Sequence, residues 1–315
     1  PEWLPLELLK RQQMPDFTTA LGVIHGPLNE DHPDYERARR RLALDELLAH
    51  QRRLLALRRR QEHQGSSGIK TPKNISTDIL DALPFTLTPD QKDALQSCAH
   101  DMSQGQPMAR LVQGDVGSGK TAVAFCLMAM MAKSGGQSCL MAPTDLLARQ
   151  HEQTLRPWAE KLGLQLVFLS GRLKTKERKA ALAQIAGDAD LIIGTHALFQ
   201  DDVVYDRLGL AVIDEQHRFG VAQRARLTAK GNAVHVLAMT ATPIPRSLAM
   251  ALYGDLDAVQ IRQKPAGRKP IETIAMQAGR IEELLDGIKR VLARGERVYW
   301  ICPLVEDSEV MDPTS

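Results

Sequence analysis

The run Gly114-Asp115-Val116-Gly117-Ser118-Gly119-Lys120-Thr121 has the residue types and spacing of a phosphate-binding loop. Its glycines let successive backbone N–H groups turn inward around an anion. A following helix N-terminus adds partial positive charge, and Lys120 offers a full one to the β- and γ-phosphates of a nucleoside triphosphate. Thr121 carries the hydroxyl suited to holding Mg²⁺. A purely structural glycine turn is the weaker reading, because the run follows an apolar strand pattern and opens a helical one.

A second cluster, Asp214-Glu215-Gln216-His217, follows the apolar run Leu210-Ala211-Val212-Ile213. A buried strand would deliver both carboxylates to the carboxyl edge of a sheet, where ligands bind in open α/β folds. Asp214 would complete the Mg²⁺ shell, and Glu215 would orient and deprotonate the attacking water. Alone such a pair reads as a solvated strand end; beside a phosphate loop it reads as catalytic. His217 fits either a relay or a structural hydrogen bond. Thr240 and Thr242, after the apolar run Val234–Met239, read on their own as a polar turn capping the next helix. Thr88-Pro89-Asp90-Gln91 makes a capping box with Pro at its first helical position. Phe85 reads as a core aromatic or as a stacking surface. Thr144, Arg149, Arg172, Lys174 and Thr195 lie on predicted loops or helix starts. They are either ordinary surface residues or ligands for nucleic-acid phosphates.

Positioning these groups requires a sheet. Short apolar runs at Ala109–Gln113, Ser138–Ala142, Leu164–Leu169, Leu191–Ile193, Leu210–Ile213 and Val234–Met239 alternate with helical patterns at Pro89–Met102, Lys120–Lys133, Leu146–Leu162 and Lys176–Ile185. That alternation predicts a parallel sheet covered by helices. Residues 1–35, with five prolines, read as an irregular connector holding short helices near Pro5–Gln12 and Asp16–Val23. Residues 36–68 read as one long amphipathic helix over Glu36–Gln64 with Leu44, Leu47, Leu48, Leu54 and Leu55 on one face, then a flexible Gly/Ser linker. The α/β domain is expected over 69–262. A second domain is expected to start over 263–315, with a helix at Ile281–Ala293 and a strand at Arg297–Leu304.

The net charge of +2 hides an asymmetry, since Glu36–Arg60 holds nine arginines against three acids, +6, and leaves the remainder at −4. An anionic partner near the N-terminus, or an exposed charged face on a packed helix, both fit. The cysteines Cys98, Cys126, Cys139 and Cys302 show no Cys-x-x-Cys spacing, which predicts core thiols in a reduced, cytoplasmic chain. No apolar run is long enough to span a membrane. No signal-peptide pattern follows Pro1, as expected of a chain that begins inside a longer protein.

The residues Asp214-Glu215-Gln216-His217-Arg218-Phe219-Gly220-Val221 with Gln223-Arg224 resemble motif II of the RecG family of superfamily 2 DNA helicases. Gly114–Thr121 resembles that family's motif I, Ala142–His151 its motif Ia and Thr240–Arg246 its motif III, in matching order. Gly194-Thr195-His196-Ala197-Leu198 resembles a further element along which the family runs single-stranded nucleic acid. Residues 1–60 are similar to the segment that joins the family's DNA-binding wedge to its motor. The resemblance implies a RecA-like P-loop domain using ATP and Mg²⁺. It also implies a monomeric motor that unwinds or branch-migrates forked and Holliday-junction DNA in recombination and fork repair. It further gives Gln91 an adenine-reading role beside its capping role, Phe85 an adenine to stack on, and Thr240 and Thr242 a part in coupling phosphate state to domain movement. The sequence departs from the family in lacking the wedge and the second-domain motifs that carry the arginine finger. A different P-loop enzyme lacks support, with no Asn-Lys-x-Asp guanine-reading motif present. A non-enzymatic binding module is disfavoured by the intact Lys120, Asp214 and Glu215.

Overall fold

The computed structural model describes residues 2–26, 32–62, 69–215, 230–231, 233–242, 256–265 and 272–301. Seven parallel strands form one sheet in the order β3-β4-β2-β5-β6-β1-β7. They are β1 (Ala109–Gly114), β2 (Gln137–Met141), β3 (Leu166–Leu169), β4 (Leu191–Gly194), β5 (Leu208–Ile213), β6 (His235–Thr240) and β7 (Asp257–Ile261). The central strands β2, β5 and β6 are buried along their whole length, which is why they read as continuous apolar runs and not as alternating ones.

Each central strand nevertheless splits its side chains between two cores by the two-residue strand period. Leu140, Leu210, Val212, Leu237 and Met239 enter the core that holds α5 (Pro89–Met102), α6 (Lys120–Lys133) and part of α7 (Asp145–Lys161). Cys139, Met141, Ala211, Ile213 and Val236 face the opposite core, with α8 (Thr175–Ile185) and the 3₁₀ turn His196–Phe199. Helix α6 is apolar on all sides and buried from Ala122 to Ala132, as a helix enclosed between sheet and outer helices must be. Its Cys126, with Cys98 and Cys139, is a buried free thiol that burial pushes up to about 12, so all three are unreactive at neutral pH. Cys302 lies outside the described residues.

Helices α5 and α6 and the C-terminal helix α9 (Ile281–Ala293) occupy the ranges read from periodicity. Strand β7 is not anticipated by the sequence: among the described residues it pairs only with β1, and most of its side chains are exposed, so it carries no apolar run. The expected strand from Arg297 is a correction. Among the described residues, 297–301 have no ladder partner, and a strand without a neighbour leaves its backbone groups to water; 302–304 lie outside the described residues.

At the N-terminus α1 (Leu6–Arg11) and α2 (Phe17–Ile24) precede the long α3 (Tyr35–Glu62), and the short α4 (Thr77–Asp81) comes before α5. Ala20 and Val23 pack on Ala38. The arginines of α3 have different fates. Arg37 and Arg39 pair with Asp34 and Glu36 in solvent. Arg41 is fully buried, held by Glu2 at 2.7 Å and by Asp45. Glu2 also accepts N–H bonds from Trp3, Leu4 and Phe17, so Arg41 serves packing here. The chain divides into two units, Pro1–Ala266 and Gly267–Ser315. In the second unit α9 buries none of its side chains.

His235, buried at the start of β6, accepts a hydrogen bond at Nδ1 from Met108 N–H at 2.9 Å. Burial lowers its pKa from 6.5 to about 4. Between those values the unfolded chain takes up a proton that the folded chain does not. Stability therefore falls as pH drops through this window, by about 3 kcal/mol in all. Urea unfolding at pH 7.5 and pH 4.5 should show a smaller acid loss for His235→Asn, whose amide oxygen can still accept from Met108. Equal losses in the two proteins would acquit His235.

Candidate nucleotide and nucleic-acid site

The loop after β1 closes around its own lysine. Lys120 Nζ donates to the carbonyl oxygens of Gly114 at 2.7 Å and Asp115 at 3.1 Å, leaving a third N–H free by inventory for an anion. Asp115, Val116 and Gly117 are exposed at the rim, while Ser118 and Lys120 are buried. Burial lowers the pKa of Lys120, and the charges of Asp214, Glu215 and Asp115 oppose that shift. Thr121 follows in the first turn of α6 and is half-buried.

Gly119 caps α6 with φ +87°, a left-handed conformation costly for other residues. A Cβ there would also stand 2.2 Å from Gln91 Nε2. Gln91 is buried and donates from Nε2 to Ser118 O at 2.7 Å, while its Oε1 accepts from Thr88 N–H at 2.8 Å. The capping box predicted for α5 is formed, and the same amide braces the back of the loop. Phe85 is half-exposed, with its ring edge-on to Trp158 at 5.8 Å, and Trp158 in turn packs on Phe125.

Asp214 and Glu215 follow β5 directly. Asp214 N–H donates to Met141 O at 2.9 Å, which seats it against β2. Its Oδ1 accepts from Glu215 N–H at 3.0 Å and its Oδ2 lies 2.7 Å from His151 Nε2. Glu215 has φ +50°, rare for a residue with a side chain and concentrated at functional sites. His217 lies outside the described residues. On β6 the hydroxyls of Thr240 and Thr242 hydrogen-bond each other at 2.8 Å, and Thr242 N–H donates to Thr240 Oγ1 at 3.2 Å. Gln113, just before the loop, donates to Thr242 O at 3.1 Å and accepts from Gln260 of β7 at 3.2 Å. Asp90, beside Gln91, accepts from the N–H groups of Arg262 and Gln263 at 2.8 and 2.9 Å.

The five candidates for nucleic acid gather on the other half of the same edge. Strands β3, β4 and β2 are neighbours, and their carboxyl ends carry Arg172 with Lys174, Thr195, and Thr144 with Arg149, respectively. Thr144 caps α7 by accepting from Leu147 N–H at 3.3 Å. Arg149 donates to Asp145 at 2.9 Å and lies over the Phe168 ring at 4.7 Å. Asp145 is held below its ordinary pKa by a hydrogen bond to Ser170, then by the charges of Arg149 and Arg172, so these groups share one small field. Arg172 and Lys174 are exposed, and Thr195 is buried.

Sequence reasoning gave no role to His151, Gln113 or Asp90. For His151 a signal existed: it lies two helical turns after Thr144 and hence on the same face of α7. Gln113 is a polar residue in an apolar strand. Asp90 gave no sign beyond its place at a helix start, because its partners are 172 and 173 residues away in sequence.

The pattern of the DEAD/DEAH box helicase family matches residues 88–251, over half of the chain. Among curated proteins, the chain is 46% identical over 311 residues to the ATP-dependent DNA helicase RecG of Synechocystis, covering 98% of this chain and 37% of that protein. It is 42% identical to RecG of Escherichia coli K12, covering 99% of this chain and 46% of that protein. This chain therefore spans less than half the length of these relatives. Among solved structures, RecG bound to a three-way DNA junction matches with a TM-score of 0.74 and 37% identity, covering 93% of this chain and 40% of that one. The DUF1998 helicase MrfA shares the fold, with a TM-score of 0.54 and 20% identity over 71% of this chain and 38% of that one.

Proposed function

This chain belongs to the DEAD/DEAH box helicase family, and from that premise we propose that it is the ATP-binding segment of a RecG-type DNA motor. Nucleotide occupies the β5-β6-β1 half of the sheet edge and DNA the β3-β4-β2 half. The observation that carries this reading is topological: the loop of Lys120 follows β1 and the Asp214–Glu215 pair follows β5, at the carboxyl ends of parallel strands separated only by β6. The fit to a nucleotide rests on the cradle itself: at Gly114 a Cβ would stand 2.6 Å from Ser118 Oγ and 2.8 Å from Ile261 O, so the loop tolerates no side chain behind its anion-facing backbone.

In this reading Thr121 and Asp214 hold Mg²⁺, which ordinarily takes one or two protein ligands and fills its shell with phosphate oxygens and water. Bound there, the metal neutralises charge on the phosphates. Lys120 exchanges its loop carbonyls for phosphate oxygens and recovers the charge stabilisation that burial removes. Glu215, fixed by its backbone bond to Asp214, accepts the proton of the attacking water. Thr240 and Thr242, tied through Gln113 to β7, report the state of the phosphates to the strand that leads toward Ala266.

The DNA partner is proposed to be branched, because a similar protein has been solved on a three-way junction. Thr144, Arg149, Arg172, Lys174 and Thr195 then meet backbone phosphates, which position a strand without reading its sequence. We further propose a cytoplasmic, monomeric motor; among the described residues no helix is long and apolar enough to cross a membrane.

Lys120→Ala should weaken MgATP binding roughly ten- to a hundredfold, the worth of a charge-assisted hydrogen bond in a buried site. Titration with a fluorescent ATP analogue checks this, and unchanged affinity would exclude the loop as the nucleotide site. Hydrolysis by a chain of the relatives' length, with and without forked DNA, tests the motor reading. Turnover indifferent to DNA would favour a different P-loop enzyme.

A further inference from the structure

The contact between His151 and Asp214 joins the two halves of the sheet edge. Helix α7 begins at Thr144 and Arg149, on the DNA side, and two turns later, about 10 Å along its axis, it places His151 Nε2 at 2.7 Å from Asp214 Oδ2. Both side chains are largely buried, 12% and 13% exposed, so water competes little for the bond. With a carboxylate opposite, the imidazole Nε2–H donates. Asp214 Oδ1 is fixed separately by Glu215 N–H. Each oxygen of the carboxylate is thus steered by one donor, and each keeps lone pairs for a metal, since an ionised carboxylate accepts about four hydrogen bonds. Loss of a side chain that orients a metal-binding carboxylate in this way typically costs roughly ten- to a hundredfold in metal affinity.

We propose that His151 is a positioning residue for the Mg²⁺-holding carboxylate Asp214, so that the affinity of the nucleotide site for Mg²⁺ depends on the placement of α7. The proposal rests on the reading of Asp214 given above. It makes α7 a mechanical element common to both ligands, because the helix that presents Thr144 and Arg149 also carries the donor that aims Asp214.

The test is a Mg²⁺ titration of fluorescent ATP-analogue binding to this chain, in the wild type, His151→Leu and His151→Gln, with Lys120→Ala as control. His151→Leu keeps most of the volume and removes the donor; it should raise the Mg²⁺ midpoint about tenfold while leaving metal-free nucleotide affinity in EDTA unchanged. His151→Gln, whose amide N–H₂ can take the place of Nε2–H, should recover most of that shift. Thermal unfolding of both variants accompanies the titration. An unchanged midpoint in His151→Leu overturns the proposal, as does an equal shift in Leu and Gln variants, which would mark a packing role. If Lys120→Ala binds MgATP as the wild type does, the nucleotide-site reading itself falls and takes this inference with it.

Discussion

Glu215→Gln, in a chain of the relatives' length, is expected to bind MgATP as the wild type does and to hydrolyse it roughly 10²- to 10⁴-fold more slowly. The geometry separates these two effects. On the proposed reading, binding draws on Lys120, held between the carbonyls of Gly114 and Asp115, and on Asp214, whose oxygens are steered by His151 and by the backbone N–H of residue 215. A glutamine side chain leaves that N–H in place and adopts the same left-handed backbone at the same cost, so the metal-holding carboxylate stays aimed. What the amide lacks is basicity, and it cannot accept the proton of the attacking water. Burst and steady-state phosphate release, set beside nucleotide titration, read the two effects independently. Turnover at the wild-type rate would place the base elsewhere, and a parallel loss of binding would show that Glu215 acts through the charge field around Lys120.

The parts of this site that lie in continuous sequence were legible there. Gly114–Thr121 has to be a loop between a buried strand and a helix, because its glycines permit the φ of +74° at Gly117 and +87° at Gly119 and its apolar flanks permit little else. The same holds for Asp214 and Glu215, delivered by a strand buried from Leu208 to Ile213. Periodicity also gave the ends of α5 and α6, where a capping box and a glycine cap mark the starts. What escaped was pairing across distance. Gln91 and Ser118 are 27 residues apart and His151 and Asp214 are 63 apart, and no local pattern records which polar side chain meets which backbone group once the sheet is assembled. Strand β7 escaped because an edge strand needs only one paired flank and little apolar surface. The role of α3 was ambiguous for a related reason: Arg41 reads as one more surface arginine until Glu2, Asp45 and Trp3 enclose it.

The 315-residue chain alone is expected to bind MgATP yet to hydrolyse it on forked DNA ~10³- to 10⁵-fold more slowly than a chain of the relatives' length, the range associated with loss of an arginine finger. Binding should persist because Lys120, Thr121, Asp214 and Glu215 all belong to the unit Pro1–Ala266, where Gln91 braces the loop and Gln113, just before it, is held by Gln260 of β7 and the carbonyl of Thr242. Hydrolysis differs in kind. The resemblance implies a second RecA-like domain that closes over the nucleotide and brings a guanidinium to the transferring phosphoryl group. This chain covers only 37–46% of the RecG proteins of Synechocystis and Escherichia coli. Among described residues 272–301 the one α-helix, α9, leaves Ile281, Leu284, Leu285 and Leu292 exposed. Among the described residues, two cations near the loop already have partners: Lys264 pairs with Asp115 at 3.5 Å, and the Arg262 guanidinium is bonded to Gln260. The measurement pairs nucleotide titration with steady-state hydrolysis, with and without forked DNA, for both chains. Equal affinity with a rate gap of this size is the expected outcome. Comparable DNA-stimulated rates in the two chains would mean that Pro1–Ala266 already contains everything needed for turnover, and that the cation completing the site must be sought within it.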